Sequence, residues 1–178
     1  MYAKGKVFVN DILFFTKKDD IKNGDIDAEL ENQIWSYMVQ EKLGDTLESV
    51  LFERNAPFTE KTVLQIGIQL LDSFKIIHEC GCTYNDLKLD NVLIGDAPEL
   101  PNAPTSLHKI RLIDFGLTQS YLLETGEHIP MKKEKLFQGN LIFASKNTFN
   151  MHTHSRRDDL ISLCYFILYL VDGDLIFL

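Results

Sequence analysis

The chain has 178 residues with 26 acidic and 18 basic side chains, which gives a formal net charge of −8 at pH 7. This acid excess argues against a nucleic-acid-binding protein, because such proteins normally present a basic face. Hydrophobic residues make up 45% of the chain, which excludes a disordered protein and predicts one globular domain or slightly more. The three cysteines are too few for a disulfide framework and no signal-peptide pattern opens the chain, so we expect a cytoplasmic protein.

The first part of the chain is predicted to form β-structure. Residues 7–15 and 33–40 are rich in aromatic and β-branched side chains, which favour strands. The stretch between them is polar and charged, and it contains Asn23-Gly24, a dipeptide typical of turns. We therefore expect two strands joined by a long polar connection.

Two helices are predicted next. The stretch that starts at Asp45 predicts a short helix, with Asp45 as its N-cap. Residues 59–80 carry apolar side chains at helical spacing, with Thr59 at the N-cap position and Gly81 as the C-terminal stop. His78 lies beside the apolar face of this helix, and we expect it to pack rather than to take part in chemistry.

The second half of the chain predicts a β-ribbon, a long loop and a buried helix. Residues 91–94 and 109–113 are short apolar runs that favour paired strands, whereas residues 118–153 lack periodicity and predict a long ordered loop. Residues 160–171 are nearly all apolar. They are fewer than the about 20 that a membrane span needs, so they predict a core helix and no membrane segment. Strands followed by helices indicate an α+β fold in which the helical part dominates.

The candidate catalytic residues lie in segment 84–91 and, after the predicted ribbon, at Asp114. Phosphoryl transfer from a nucleotide needs a carboxylate for the incoming hydroxyl, a cation for the transferring phosphate and oxygen ligands for Mg²⁺. Asp86 supplies the carboxylate and Lys88 the cation, and Asn91 with Asp114 supplies the oxygen ligands. Each motif alone is common in surface loops. Together, in this order and on either side of a ribbon, they indicate phosphoryl transfer.

Segments 84–91 and 113–116 resemble the catalytic loop and the metal-binding turn of eukaryotic protein kinases. Further segments narrow the resemblance to the casein kinase 1 family. Residues 38–44 resemble its hinge, residues 62–64 the start of its long large-lobe helix and residues 113–117 its metal turn. Residues 128–130 and 139–148 resemble parts of its activation segment, and residues 155–160 lead into a helix like its central one.

The resemblance implies a fold and a division of the chain. It implies an α+β, protein-kinase-like fold in truncated form, with the last strands of the small lobe and most of the helical large lobe. Residues 1–43 would form the small-lobe remnant and hinge. Residues 44–178 would form an incomplete large lobe with the catalytic loop and the activation segment.

The resemblance also implies a function, a casein kinase 1-like protein kinase that transfers the γ-phosphoryl group of ATP to Ser or Thr hydroxyls of a protein substrate. Its cofactors would be ATP and Mg²⁺. Asp86 would be the catalytic carboxylate and Lys88 the phosphate-contacting cation, while Asn91 and Asp114 would hold Mg²⁺. The remaining ATP contacts would be the gatekeeper Gln40, the hinge residues Glu41, Lys42 and Leu43, and Leu93 as the floor under the adenine. Asp159 would brace the backbone of the catalytic loop.

The sequence departs from the family pattern before Gln40, where it has neither a Gly-rich loop nor a strand Lys of the Val-Ala-Ile-Lys type. Kinases of this kind use both to bind ATP. One alternative is therefore a catalytically inactive kinase-like module with a binding or structural role, and another is a scaffold that binds ATP without transferring phosphate. An incomplete large lobe would also expose apolar surface, which predicts a covering protein partner.

Two substitutions bear on regulation and specificity. Asn85 stands where the family has an Arg that binds a phosphate on the activation segment, and an amide cannot pair bidentately with phosphate. Ile142 stands where the family has a basic residue that recognises already phosphorylated substrates. We therefore expect neither activation by phosphorylation of this segment nor a strong preference for primed substrates.

Overall fold

A computed structural model describes residues 13–15, 37–39, 42–95 and 109–173. It divides the chain into two compact units, Met1–Lys42 and Leu43–Leu178. In the first unit, strands β1 (Leu13–Phe15) and β2 (Tyr37–Val39) pair antiparallel. These strands confirm the β-structure predicted around them, while the other residues of both predicted strands and the turn at 23–24 lie outside the described residues.

The second unit combines helices with two short antiparallel ribbons, in which Cys82–Thr83 pairs with Gln119–Ser120 and Val92–Ile94 pairs with Ile110–Leu112. This content confirms the predicted α+β class and the predicted ribbon. The elements are α1 (Leu47–Arg54), α2 (Glu60–Glu79), β3 (Cys82–Thr83), a 3₁₀ turn (Leu89–Asn91), β4 (Val92–Ile94), β5 (Ile110–Leu112), β6 (Gln119–Ser120), α3 (Lys146–Phe149) and α4 (Arg156–Asp172).

Helix α2 has the bounds that the sequence predicts. The side chain of Thr59 accepts a hydrogen bond from the backbone N–H of Thr62, which satisfies one of the unpaired donors at the N-terminus. Gly81 follows the helix with φ of +80°, a backbone conformation that favours glycine. The buried face of α2 contributes Val63, Ile66, Leu70 and Phe74 to the hydrophobic core.

The start of α1 differs from the prediction, because Thr46 rather than Asp45 is the N-cap. The Thr46 hydroxyl accepts from the backbone N–H of Ser49 at 3.1 Å. The backbone of Asp45 instead accepts from the N–H of Ile94 at 2.8 Å. Gly44 allows this close approach, since a Cβ there would lie 1.9 Å from the carbonyl oxygen of Ile94. Contact with β4 therefore moves the cap by one residue.

Helix α4 begins at Arg156, four residues before the predicted apolar run, behind a capping box between Ser155 and Asp158. The run forms the core helix that the sequence predicts, although not all of its apolar side chains are buried. One face is buried through Leu163, Phe166 and Leu170. Away from this face, Leu160, Leu168 and Val171 are each more than one-third exposed. Within the described ranges, no helix has the length and hydropathy needed to cross a membrane.

The long loop predicted over residues 118–153 contains two short elements that the sequence analysis did not identify, β6 and α3. Ser145 caps α3 by accepting from the N–H of Thr148 at 3.2 Å. The backbone N–H of Thr153 donates to the carbonyl of Lys132 at 2.9 Å, which holds the segment before α3 against the segment after it. Elements of two to four residues are too short to produce a periodic pattern.

Candidate active site

The backbone of segment 84–91, the predicted catalytic loop, is held by the carboxylate of Asp159, a residue of α4 with 2% exposure. Its Oδ2 accepts from the backbone N–H of Tyr84 and its Oδ1 from that of Asn85, both at 2.9 Å. His78 Nε2 lies 2.8 Å from Oδ2. Three buried or half-buried donors are thereby satisfied by one carboxylate. These contacts confirm the predicted bracing by Asp159.

The structure brings the predicted residues Asp86, Lys88 and Asn91 together. Asp86 is 6% exposed, and its Oδ2 lies 3.2 Å from Lys88 Nζ. The Asn91 side-chain amide donates to this same Oδ2 and to the Asp86 carbonyl, both at 2.9 Å. The carboxylate is thus oriented from one side by a cation and an amide, which form charge-assisted contacts with the same oxygen.

Asp114 follows β5 in a tight turn, with φ of +58°. Its Oδ1 accepts from the backbone N–H of Gly116 at 3.1 Å, and the residue is exposed. The turn lies against the catalytic loop. Tyr84 Oη donates to the carbonyl of Ile113 at 2.5 Å, and the Ile113 N–H donates to the carbonyl of Asn91 at 3.0 Å. Asp114 is therefore placed next to the loop that carries the other predicted site residues.

Sequence reasoning treated Tyr84 only as part of a motif, but its phenol lies among the acidic groups of the site. Burial raises the pKa of Tyr84 far above its ordinary value, and three nearby carboxylates raise it further, against a hydrogen bond from Asn91. The carboxylates belong to Asp86, Asp114 and Asp159. Tyr84 therefore stays neutral and can act as a donor in the site. Its ring also meets that of Phe115 edge-on at 5.6 Å.

Comparison with known proteins decides the family of this chain. The family model for the protein kinase domain matches residues 26–178. The chain belongs to the protein kinase family. This match confirms the predicted protein-kinase-like fold.

Curated relatives of this kinase domain confirm the resemblance to casein kinase 1. The chain is 34% identical to casein kinase I homolog 2 of Saccharomyces cerevisiae over 139 residues, 78% of this chain and 24% of that protein. It is also 34% identical to casein kinase I homolog 1 of the same yeast over 78% of the chain and 25% of that protein. A probable serine/threonine-protein kinase of Dictyostelium discoideum is 32% identical over 79% of the chain and 28% of that protein. The chain spans about a quarter of the length of these relatives.

The residues expected to contact ATP are only partly within the described structure of this kinase domain. Gln40 and Glu41 lie outside it. Lys42 is exposed and ends the first unit, whereas Leu43 is half-buried and begins the second. Leu93 is half-buried in β4. A backbone hydrogen bond of 3.2 Å from Gly44 to Gly95 and a bridge between Thr46 and Leu93 join the segment after Leu43 to the end of β4.

His78 has a polar role in the kinase domain beside the packing role that its position predicts. Its ring stacks on that of Phe74 with centroids 6.0 Å apart, and its Nε2 contacts the Asp159 carboxylate. Asp159 lies 81 residues further along the chain, so no local pattern could have revealed the contact. His78 therefore links α2 to the residue that braces the catalytic loop.

A second buried carboxylate, Asp158, ties α4 to α3. Its Oδ1 accepts from the Ser145 hydroxyl at 2.6 Å, and its Oδ2 accepts from the backbone N–H of Ser155 at 2.9 Å. Burial by itself raises the pKa of Asp158. Hydrogen bonds from Ser145 and Ser155, together with the nearby guanidinium of Arg157, outweigh burial and hold the pKa below its ordinary value of 3.8.

Acid should therefore weaken the fold through Asp158. Because the pKa is lower in the folded state, ionised Asp158 stabilises the fold above pH 3.8, and this contribution is lost as the pH falls from there through the folded pKa. Ser145→Ala should raise the folded pKa and so reduce this loss. Urea unfolding at about pH 6 and about pH 3 would measure it. Equal acid-induced losses in Ser145→Ala and in the control Ser162→Ala, a half-buried serine of α4, would contradict this account.

Proposed function

We propose that the protein containing this chain is a serine/threonine protein kinase, which transfers the γ-phosphoryl group of ATP to hydroxyl groups of a protein substrate. The observation that carries the proposal is the buried Asp86 carboxylate, oriented by Lys88 and Asn91 beside the turn of Asp114. Relatives named as casein kinases and as a probable serine/threonine-protein kinase support Ser and Thr as the acceptors. The cytoplasm remains the compartment that we propose.

In this proposal Asp86 orients the acceptor hydroxyl and accepts its proton. The described contacts of the carboxylate use Oδ2, which leaves Oδ1 for the incoming hydroxyl. The Lys88 side chain is 31% exposed, so its ammonium group can reach a transferring phosphate without leaving Asp86. A cation at that position offsets the charge that develops on the transferred group.

Asn91 and Asp114 fit a Mg²⁺ ion that is shared with the phosphates of ATP. The Asn91 amide nitrogen is used by Asp86, which leaves its carbonyl oxygen as a ligand, and Asp114 presents an exposed carboxylate. No group of three His, Cys, Asp or Glu side chains suited to a metal occurs among the described residues. Two protein ligands still suffice, because Mg²⁺ commonly takes one or two together with substrate phosphates. When bound, Mg²⁺ neutralises charge on those phosphates.

The remaining parts of the proposal concern ATP and the protein partners. Residues Gln40 to Leu43 would contact the adenine from the hinge and Leu93 from below, with residues 1–43 and 44–178 as the small-lobe and large-lobe parts. Exposed apolar residues on α2 and α4, such as Ile68 and Leu168, support a protein surface that covers these helices. The relatives are named as kinases, so the comparisons do not support the inactive alternative.

Titration calorimetry on the full-length protein tests the proposal at its metal turn. We expect ATP binding that depends on Mg²⁺ and that weakens about tenfold or more in Asp114→Asn, because Mg²⁺ affinity depends on the charge of its ligands. Asp172→Asn, at the exposed end of α4, is the matched control and should bind as the wild type does. Phosphorylation of casein would then show transfer. Equal Mg²⁺-dependent affinity in both variants would overturn the metal assignment, and absence of transfer to any Ser or Thr acceptor would overturn the kinase assignment.

A further inference from the structure

Asn85, the residue before Asp86, has a backbone conformation that few residues adopt. Its φ is +71°, in the left-handed region where asparagine is enriched among non-glycine residues. Its backbone N–H is held by Asp159 Oδ1 at 2.9 Å. The side chain turns the other way, and its Nδ2 donates to the carbonyl of Leu117 at 2.9 Å. Asn85 therefore joins the brace on one side to the metal turn on the other.

The contact with Leu117 closes the far end of the metal turn. The hydrogen bonds from Tyr84 and to Asn91 both hold Ile113, just before Asp114. The Asn85 amide instead holds the residue three positions after Asp114. The turn is thus held against the catalytic loop on both sides of its carboxylate, and the hydrogen bond on the second side comes from the Asn85 side chain.

The orientation of the Asn85 side chain is determined by this one hydrogen bond. Its Oδ1 is buried and has no hydrogen-bond partner among the described residues. Only the nitrogen can donate to the carbonyl of Leu117, so a carboxylate of the same shape cannot replace it. The packing is tight, because a Cβ at Gly139 would lie 2.9 Å from the Asn85 carbonyl oxygen. A side chain at position 139 would therefore not be accommodated without movement of the Asn85 backbone.

We propose that Asn85 is a positioning residue that sets the relative placement of Asp86 and Asp114 through an uncharged hydrogen bond to the metal turn. This inference rests on the proposed kinase function, because the relative position of these two carboxylates matters only if the protein transfers a phosphoryl group. The hydrogen bond from Asn85 needs no charged group and no phosphate on the activation segment. Loss of the amide loosens the turn around Asp114 and leaves Asp86 held by Lys88 and Asn91.

The test compares Asn85→Asp with Asn140→Asp in the full-length protein. Asn140 is half-buried, and its Oδ1 accepts from the N–H groups of Ile142 and Phe143 at 2.7 and 3.2 Å, a role that a carboxylate also fills. The two variants therefore add the same charge, but only the first removes a required donor. Asn85→Gly keeps the left-handed backbone and removes the whole amide, so it tests the inference even if Asn85→Asp does not fold.

Three measurements report the outcome. We expect Asn85→Asp and Asn85→Gly to weaken Mg²⁺·ATP affinity in calorimetry roughly 10- to 100-fold, as is typical when a residue that orients a metal ligand is lost. KM for casein should stay within about twofold, and amide hydrogen exchange should rise in residues 113–120. Asn140→Asp should change none of these. Unchanged exchange and ATP affinity in both Asn85 variants, or equal changes in Asn140→Asp, would overturn the inference.

The failure of this inference can be separated from the failure of the proposed function. Hydrogen exchange in residues 113–120 depends on the contact between Asn85 and Leu117 and not on transfer. Suppose that the wild type transfers no phosphate but Asn85→Gly raises hydrogen exchange in the turn. The kinase proposal and the positioning role are then both overturned, and the contact between Asn85 and Leu117 has a structural role only. If the wild type transfers phosphate and the Asn85 variants match it, the positioning role alone is overturned.

Discussion

Asp86→Asn is expected to lower phosphoryl transfer by roughly 10²- to 10⁴-fold, the range that a positioned general base contributes. Asp86 is buried and its carboxylate is held by Lys88 and Asn91. An amide retains the shape but cannot accept a proton from the acceptor hydroxyl. The fall should appear in kcat with little change in KM for Mg²⁺·ATP, because the residue acts on the hydroxyl and not on the nucleotide. Steady-state kinetics with casein would measure both.

The control for this experiment is Asp72→Asn, which makes the same change on the exposed face of α2. It should transfer phosphate at the wild-type rate. An Asp86→Asn protein with an unchanged kcat would show that this carboxylate does not act on the hydroxyl. A loss confined to KM for Mg²⁺·ATP would instead assign Asp86 to nucleotide binding.

Asp159→Ala is expected to lower the free energy of unfolding by about 3–5 kcal/mol, because each buried donor that loses its partner costs about 1–3 kcal/mol. The carboxylate is 2% exposed and accepts from two backbone N–H groups, of Tyr84 and Asn85, besides its contact with His78. Its loss leaves these donors buried without partners, which costs more than the hydrogen bonds themselves contribute. Urea denaturation followed by circular dichroism would measure the change.

Asp72→Ala provides the reference for this loss of stability, since an exposed helical position away from such contacts usually changes stability by less than about 0.5 kcal/mol. Hydrogen exchange at residues 84 and 85 should rise in Asp159→Ala and stay unchanged in Asp72→Ala. If Asp159→Ala and Asp72→Ala had the same free energy of unfolding, the contacts of Asp159 would make no contribution to stability.

Local patterns in the sequence were sufficient for the longest helix and for the chemistry-bearing residues. Thr59 and the apolar spacing after it predict α2 because capping and amphipathic packing act within a few residues. Asp86, Lys88 and Asn91 lie within six consecutive positions, so a short loop can bring them together. The paired strands β4 and β5 could be predicted because their apolar runs flank a Pro-rich connection.

Other features could not be predicted, because distant contacts decide them. Thr46 caps α1 because Asp45 is drawn into hydrogen bonding with β4. The exposed side chains of α4 depend on which elements pack against that helix, and the apolar run by itself does not show which elements these are. The short strand β6 is stabilised by pairing with β3, and α3 by the hydrogen bond between Ser145 and Asp158. These partners are distant in the chain, so the residues of the two elements alone do not predict them.

The sequence by itself determined the α+β class, the kinase resemblance and the identity of the residues proposed for phosphoryl transfer, because each depends on side chains close together in the chain. The family resemblance also implied that Asp159 braces the catalytic loop, whereas only the tertiary structure decided which groups form the contacts that hold those residues. Asp159 reaches Tyr84 from 75 residues away, and Asn85 reaches Leu117 across 32 residues. Such contacts form when helices and turns pack, since buried donors must find acceptors wherever the fold places them.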